Sequence, residues 1–255
     1  IKNIIRKDFI LPAIFSSPFL FYYNCTINGL EIFRYDKLYL VIVIVMTDYR
    51  SCIIKKGGEI LNNLELMSEV ESAISVCKKC PLSETRNKTV PGEGSIHSPV
   101  VFIGEGPGAE EDVTGRPFVG KAGRLFDEIL KAVSFSRDDI YITNVVKCRP
   151  PNNRNPMPDE MNLCSPFLFS QLQIINPILI VTLGAVPLSF LLDKKNIRIT
   201  SMRGQLIPYR ENTMLFPMFH PSYLLRNPSK AKGSPKFLTW QDIQEVKKIY
   251  DQHRQ

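Results

Sequence analysis

Four short apolar runs separated by helix-patterned segments constrain this chain more than any other feature. The runs are Pro99–Gly104, Ile140–Val146, Ile178–Leu183 and Met214–Phe219. Each is apolar at nearly every position, the pattern of a strand covered on both faces. Between them the apolar spacing turns helical. Leu125, Ile129, Leu130 and Val133 share one face of 120–133, Pro158 suits the first turn of a helix over 158–175, and 185–192 follows as another. This alternation predicts an α/β fold, a three-layer α/β/α domain around a four-stranded, mostly parallel sheet. Ligands of such sheets bind beyond the carboxyl ends of the strands. Glu105, Asn144 and His220 fall there, after the first run, late in the second and after the fourth. Pro166 is expected to kink or split its helix. Thr239 to Asp242 (TWQD) reads as a capping box opening a last helix that ends near Gln252.

Cysteine spacing adds a second constraint. Six cysteines in 255 residues are too few for a secreted disulfide framework. Cys77 and Cys80 form Cys-Lys-Lys-Cys, and Cys148 and Cys164 stand alone downstream. A Cys-x-x-Cys with two later thiols can surround one metal centre, and spacing alone leaves structural zinc and an iron–sulfur cluster equally open. Cys25 and Cys52 have no ligand-like spacing and read as small apolar side chains.

The loops carry the remaining chemistry. Gly104-Glu-Gly-Pro-Gly108 turns tightly after the first strand, with Glu105, Glu110, Glu111 and Asp112 around it. That crowding of carboxylates suits water activation or stabilisation of a cation better than phosphate binding. Gly115 to Lys121 (GRPFVGK) matches part of a phosphate loop, but Ala122 replaces the hydroxyl that would hold magnesium, and no strand precedes it directly. Phe118 in this segment could stack on a planar ligand. The amide of Asn144 could read a base edge. Lys147 to Asn155 (KCRPPNNRN) is a basic turn suited to phosphate contacts. In His220-Pro-Ser-Tyr-Leu-Leu-Arg226, His220 could stabilise a developing anion, Leu224 and Leu225 could wedge a base stack, and Ser222 and Arg226 lie near for the backbone. The net charge of +7 is compatible with a polyanionic partner.

The first 66 residues differ. Ile1–Tyr23 is basic and then apolar, like a signal or anchor segment, though Pro12 and Pro18 interrupt it. Leu38–Met46 is apolar but too short to span a bilayer, and reads as a buried or aggregation-prone strand. No catalytic pattern precedes Met67, where a helix is expected to start with Val70, Ala73, Ile74 and Cys77 on one face. Residues 1–66 are expected to be an extension outside the catalytic fold, and 67–255 the functional domain.

Taken together, CKKCPLSETR, GEGPGAEEDVTGRPFVGKAGRLFD, ITNVVKCRPPNNRNP, LCSP and HPSYLLR, in that order, resemble the family 4 uracil-DNA glycosylases. The resemblance runs from about Met67 to the end. It implies a structural [4Fe–4S] cluster on Cys77, Cys80, Cys148 and Cys164, with no divalent metal or nucleotide cofactor. It implies a monomeric cytoplasmic repair enzyme acting on uracil in single- or double-stranded DNA, with a sliding clamp as a further partner and no membrane. By similarity Phe118 stacks on the flipped base, Asn144 reads its edge, Glu111 excludes the thymine methyl, and His220 stabilises the departing uracil. The better-known family of this superfamily has an aspartate where Gly106 stands, which leaves Glu105 or Asn153 to position water. No insertion follows Cys148 of the kind that lets one relative trap itself on the abasic sugar. A non-catalytic iron–sulfur or zinc module that recognises damaged DNA is the alternative.

Overall fold

Every residue of Val100–Gly104, Tyr141–Asn144 and Leu179–Leu183 is buried, as expected of strands covered on both faces. The computed structural model describes residues 61–254, together with the backbone of five short upstream strands. Those are β1 (Thr26–Ile27), β2 (Leu30–Arg34), β3 (Val41–Ile44), β4 (Lys55–Lys56) and β5 (Glu59–Ile60). β1, β2 and β3 form one antiparallel sheet, and β4 pairs with β5. The apolar segment Ile1–Tyr23, Cys25 and Cys52 lie outside the described residues, and the run Leu38–Met46 contains β3. The chain divides into two units, Ile1–Leu61 and Asn62–Gln255.

In the second unit the strands are β6 (Glu93–Gly94), β7 (Val100–Gly104), β8 (Tyr141–Asn144), β9 (Leu179–Leu183), β10 (Ile207–Arg210) and β11 (Thr213–Met218). The helices are α1 (Asn63–Ser75), α2 (Leu82–Thr85), α3 (Ala109–Thr114), α4 (Lys121–Ala132), α5 (Pro158–Ile175), α6 (Ala185–Leu192), α7 (Ile199–Met202), α8 (Pro221–Arg226) and α9 (Pro235–His253). One sheet runs in the order β10-β11-β9-β7-β8-β6. The inner four strands are parallel, and both edges are antiparallel. The sheet therefore has six strands, not four. The two edge strands escaped notice because β6 is two residues long and β10 alternates between half-buried and exposed positions.

Strand side chains alternate between two layers, as the period of two dictates. Val101, Ile103, Tyr141 and Ile180 pack with Ile74, Leu168, Leu172 and Leu188 of α1, α5 and α6. Val100, Phe102, Ile142 and Val181 pack with Phe126, Leu130, Ile243 and Val246 of α4 and α9. No helix among the described residues is long and apolar enough to cross a membrane.

Three local expectations change. α5 is one unbroken helix despite Pro166. Proline removes the donor that would bond the Asn162 carbonyl, and the Ser165 hydroxyl donates to that carbonyl instead at 2.9 Å. α9 starts at Pro235, not Thr239. Ser234 caps it through the Phe237 amide, Thr239 bonds the Pro235 carbonyl from inside the helix, and Asp242 turns inward to Arg203. A serine followed by proline fits the N-cap and first helical position better than a threonine one turn further on. α1 starts at Asn63, four residues before Met67, because Asn62 and Glu65 form a reciprocal capping box. Asn62→Ala should therefore cost about 1 kcal/mol of stability, read as a shift in the urea midpoint at unchanged slope; an unmoved midpoint would show the cap to be dispensable.

Candidate active site

Parallel pairing brings the carboxyl ends of the inner strands to one edge. Gly104 pairs with Asn144, and Met218 with Leu183. Gly104 is the point of closest approach. A Cβ there would lie 2.4 Å from Oδ1 of Asn144 and 2.6 Å from Cζ of Phe118, so both side chains lie over the glycine. Phe118 is 6% exposed and adopts φ 53°. Its ring centroid is 5.7 Å from that of His220 and 5.3 Å from that of Phe126. Of the residues named by the sequence, Phe118 and Asn144 thus meet over Gly104, and His220 lies beside the Phe118 ring.

The segment carrying Phe118 is held by Glu111. This carboxylate is 9% exposed, and its Oε1 accepts from the amides of Val119 and Gly120, each at 2.9 Å. The neighbouring Asp112 accepts from the backbone and side-chain amides of Asn87 at 2.9 and 2.6 Å. That bond ties α3 to the stretch after Cys80.

Asn144 is 2% exposed. Its carbonyl accepts from Nζ of Lys147 at 2.8 Å, while its side-chain amide makes no hydrogen bond within the protein among the described residues. A buried amide kept free of internal partners is suited to a ligand edge. His220 caps α8. Its Nδ1 accepts from the Ser222 amide at 3.1 Å and lies 2.8 Å from the Ser222 hydroxyl. Burial, reinforced by Arg226 and opposed by Glu111, pushes the His220 pKa down to about 4. The ring is therefore neutral at pH 7. With Nδ1 accepting, the proton sits on Nε2, which is left as a donor.

Glu105 follows β7, and burial raises the pKa of its carboxyl. A Cβ on Gly106 would sit 2.7 Å from Cγ2 of Val146, so a side chain at the position after Glu105 would require Val146 to shift. Asn153 lies on an exposed turn, and its Oδ1 accepts from Nε of Arg149 at 2.8 Å.

Cys77, Cys80, Cys148 and Cys164 line one pocket, all as free thiols. Two of the sulfurs already accept hydrogen bonds. Arg86 donates to Cys148 at 3.2 Å, and the Lys147 amide to Cys164 at 3.3 Å. Among the described residues no three such donors close on one point as a single ion requires. Four thiols around one pocket, two of them each accepting from an N–H donor, are a donor set that fits a thiolate-held metal centre.

Two expectations about DNA-facing residues are corrected. Leu224 is 1% exposed and belongs to the core, so only Leu225, at 44%, is free to act as a wedge. The basic turn 147–155 spends two of its three cations internally, Arg149 being the exception. Lys147 is 1% exposed, with Nζ donating to Thr143, Gln171 and the Asn144 carbonyl, and Arg154 pairs with Glu160 at 2.6 Å. Burial lowers the Lys147 pKa to about 7. The sequence reading named Arg226 but missed the basic surface that continues from it. No acidic residue occurs between Glu211 and Asp242, whereas Arg226, Lys230, Lys232 and Lys236 do, and among the described residues these four make no ion pair. Reading for an absence of carboxylates would have found it. It also missed Arg137, which donates to the carbonyls of Pro117 and Phe118.

Residues 91–244 match the family model described as the uracil DNA glycosylase superfamily. The chain is 49% identical over 183 residues to the type-4 uracil-DNA glycosylase of Thermotoga maritima, covering 72% of this chain and 94% of that protein. The chain belongs to the type-4 uracil-DNA glycosylases. It is also 41% identical over 179 residues to the type-4 uracil-DNA glycosylase of Saccharolobus solfataricus, covering 68% of this chain and 82% of that one. A type-5 uracil-DNA glycosylase of Pyrobaculum aerophilum is more distant, at 30% over 152 residues, covering 54% of this chain and 67% of that protein.

The state of His220 can be measured. Folding holds its pKa below the ordinary 6.5, at about 4, so protons favour the unfolded chain between those values. His220 should therefore make the fold less stable as pH falls from 6.5 towards 4. Nitrogen-15 NMR should show a neutral ring protonated on Nε2 at pH 7; titration near 6.5 would contradict the assignment.

Proposed function

We propose that the protein removes uracil from DNA by hydrolysing its N-glycosidic bond, leaving an abasic site for base excision repair. The observation that carries this reading is the meeting of Phe118 and Asn144 over Gly104, with His220 beside the Phe118 ring, at the carboxyl edge of the sheet. The uracil nucleotide leaves the stack before reaction. Phe118 stacks on the extruded base. Asn144 presents its unbonded amide to the base edge, offering both donor and acceptor. Glu111, fixed by two backbone amides, fills the space beside C5 and excludes a methyl group.

Cleavage breaks the bond between C1′ and N1, and the electron pair stays with uracil. The Nε2–H of neutral His220 donates to O2 of the departing anion. A neutral donor suits this task because it stabilises charge on the base without surrendering its proton. Water adds to C1′. Glu105 is the residue we assign to position that water and take its proton, since burial raises the basicity of its carboxylate. Asn153, whose amide oxygen is bonded to Arg149, is the weaker candidate. Leu225 occupies the gap in the stack. Ser222 and Arg226, with Lys230, Lys232 and Lys236, contact the DNA backbone.

Cys77, Cys80, Cys148 and Cys164 would hold a [4Fe–4S] cluster. That group would supply a cross-link between α1, the end of the β8 loop and α5, and no redox chemistry. The catalytic fold is assigned to the unit from Asn62 onward, with the upstream residues outside it. Deleting residues 1–61 should leave excision unchanged.

Incubation with an oligonucleotide carrying one uracil tests the whole reading. Strand breakage only after alkali, with a thymine control intact, is expected. A band shift surviving denaturation would mean covalent trapping, and neither signal from folded protein would leave a binding module. His220→Ala should lower the excision rate by about 100- to 1000-fold, the usual cost of one anion-stabilising donor, while DNA binding persists. Asn144→Ala should abolish discrimination against cytosine. Changing Lys230, Lys232 and Lys236 together to Gln should reduce the salt slope of DNA binding by about 3, roughly 0.9 per lost phosphate contact. An unchanged slope would remove these lysines from the interface.

A further inference from the structure

Phe118 occupies the left-handed region of backbone space, φ 53°, where a bulky side chain is disfavoured and glycine is the ordinary choice. Something outside the segment must hold it there. The amides of Val119 and Gly120, which follow it, are held by Glu111, but its own carbonyl is not. That carbonyl accepts from Nη2 of Arg137, and the Pro117 carbonyl accepts from Nη1 of the same side chain at 2.9 Å. The carbonyl can point this way because α4 has Gly123 at the crossing. A Cβ there would fall 1.9 Å from the Phe118 oxygen.

Arg137 is itself fixed from two further directions. Nε donates to Asp127 of α4 at 2.8 Å, and Nη1 pairs with Glu93 on the edge strand β6. Burial alone would raise the Glu93 carboxyl, but the hydrogen bonds of Arg116 and Arg137 outweigh it and hold it below the usual range. All three guanidinium nitrogens are engaged, and the side chain is 18% exposed. A planar fork is the group that can bond two successive carbonyls and two carboxylates at once; an ammonium presents no such plane.

We infer that Arg137 is a positioning residue for uracil recognition: with Glu93 and Asp127 it locks the Pro117 and Phe118 carbonyls, so that the Phe118 ring stays over Gly104 beside His220. This rests on the stacking role proposed above for Phe118. Arg137 does not touch the base. It acts by keeping an unfavourable backbone conformation populated before DNA arrives, so its loss should weaken base binding without touching backbone contacts.

Free uracil, as competitive inhibitor, and an abasic-site oligonucleotide are the two probes. Phe118→Ala should weaken uracil inhibition roughly 5- to 150-fold, the range for one base–aromatic stack. Arg137→Met should weaken it by at least about fivefold on the same basis, with abasic-DNA affinity unchanged. In the double variant the two losses should not multiply, because both remove one stack. Arg137→Lys, which keeps a charge facing Glu93 but has no fork, should lose uracil affinity in the same direction and serves if Arg137→Met does not fold. Wild-type uracil inhibition in Arg137→Met or Arg137→Lys, with Phe118→Ala defective, would overturn the clamp alone. So would independent, multiplying losses, which would make Arg137 merely structural. Wild-type inhibition in Phe118→Ala would overturn the stacking reading and the clamp with it.

Discussion

Hydrogen bonding between β7 and β8 sets Gly104 opposite Asn144, and the rest of the site is built on the space that glycine leaves empty. A side chain at 104 would displace the Asn144 amide and the Phe118 ring together. The parallel register does the complementary work. It brings the ends of β7, β8, β9 and β11 to one edge, so residues up to 115 apart in sequence enter one cleft without a long loop. Rigid strands below and short braced loops above hold the reacting groups in place before substrate binds.

The bracing is electrostatic and comes from groups that do no chemistry. Glu111 takes two amides on one side of Phe118, and Arg137 takes two carbonyls on the other. Asp112 joins α3 to the chain just beyond the Cys-x-x-Cys segment. Lys147 joins the Asn144 carbonyl to α5, the helix that carries Cys164. The thiol pocket and the base-binding cleft are therefore linked through two separate sets of hydrogen bonds. A cross-link at the cysteines would stiffen both the acidic loop and the end of β8.

Charge is divided in the same way. Burial keeps His220 neutral, and the Ser222 amide donating to Nδ1 leaves its one proton on Nε2. The cations nearest the cleft, Lys147 and Arg137, are turned inward as struts. Arg226, Lys230, Lys232 and Lys236 lie on the acid-free stretch that follows the exposed Leu225. In the function proposed above, recognition of the polyanion and of the base falls on different elements, α8 and the loop after it for the first, the ends of β7 and β8 for the second.

The sequence alone determined the inner strands, the longer helices, the four thiols and the polar residues at the carboxyl edge of the sheet, because each leaves a local signal: an apolar run, a helical period, a Cys-x-x-Cys, a polar residue just past a buried strand. It could not show the two edge strands, whose pairing partners lie elsewhere in the chain. It placed the start of α9 one turn late, because two capping signals competed and only packing chose Ser234. It read Leu224 and Leu225 as equals, since adjacent leucines look alike until a helix buries one and exposes the other. The partners of Lys147, Arg137 and Arg154 were likewise decided by tertiary structure. A charged side chain carries no mark in the sequence of whether it will face solvent or close a buried network, because that depends on which carbonyls and carboxylates the fold brings within reach.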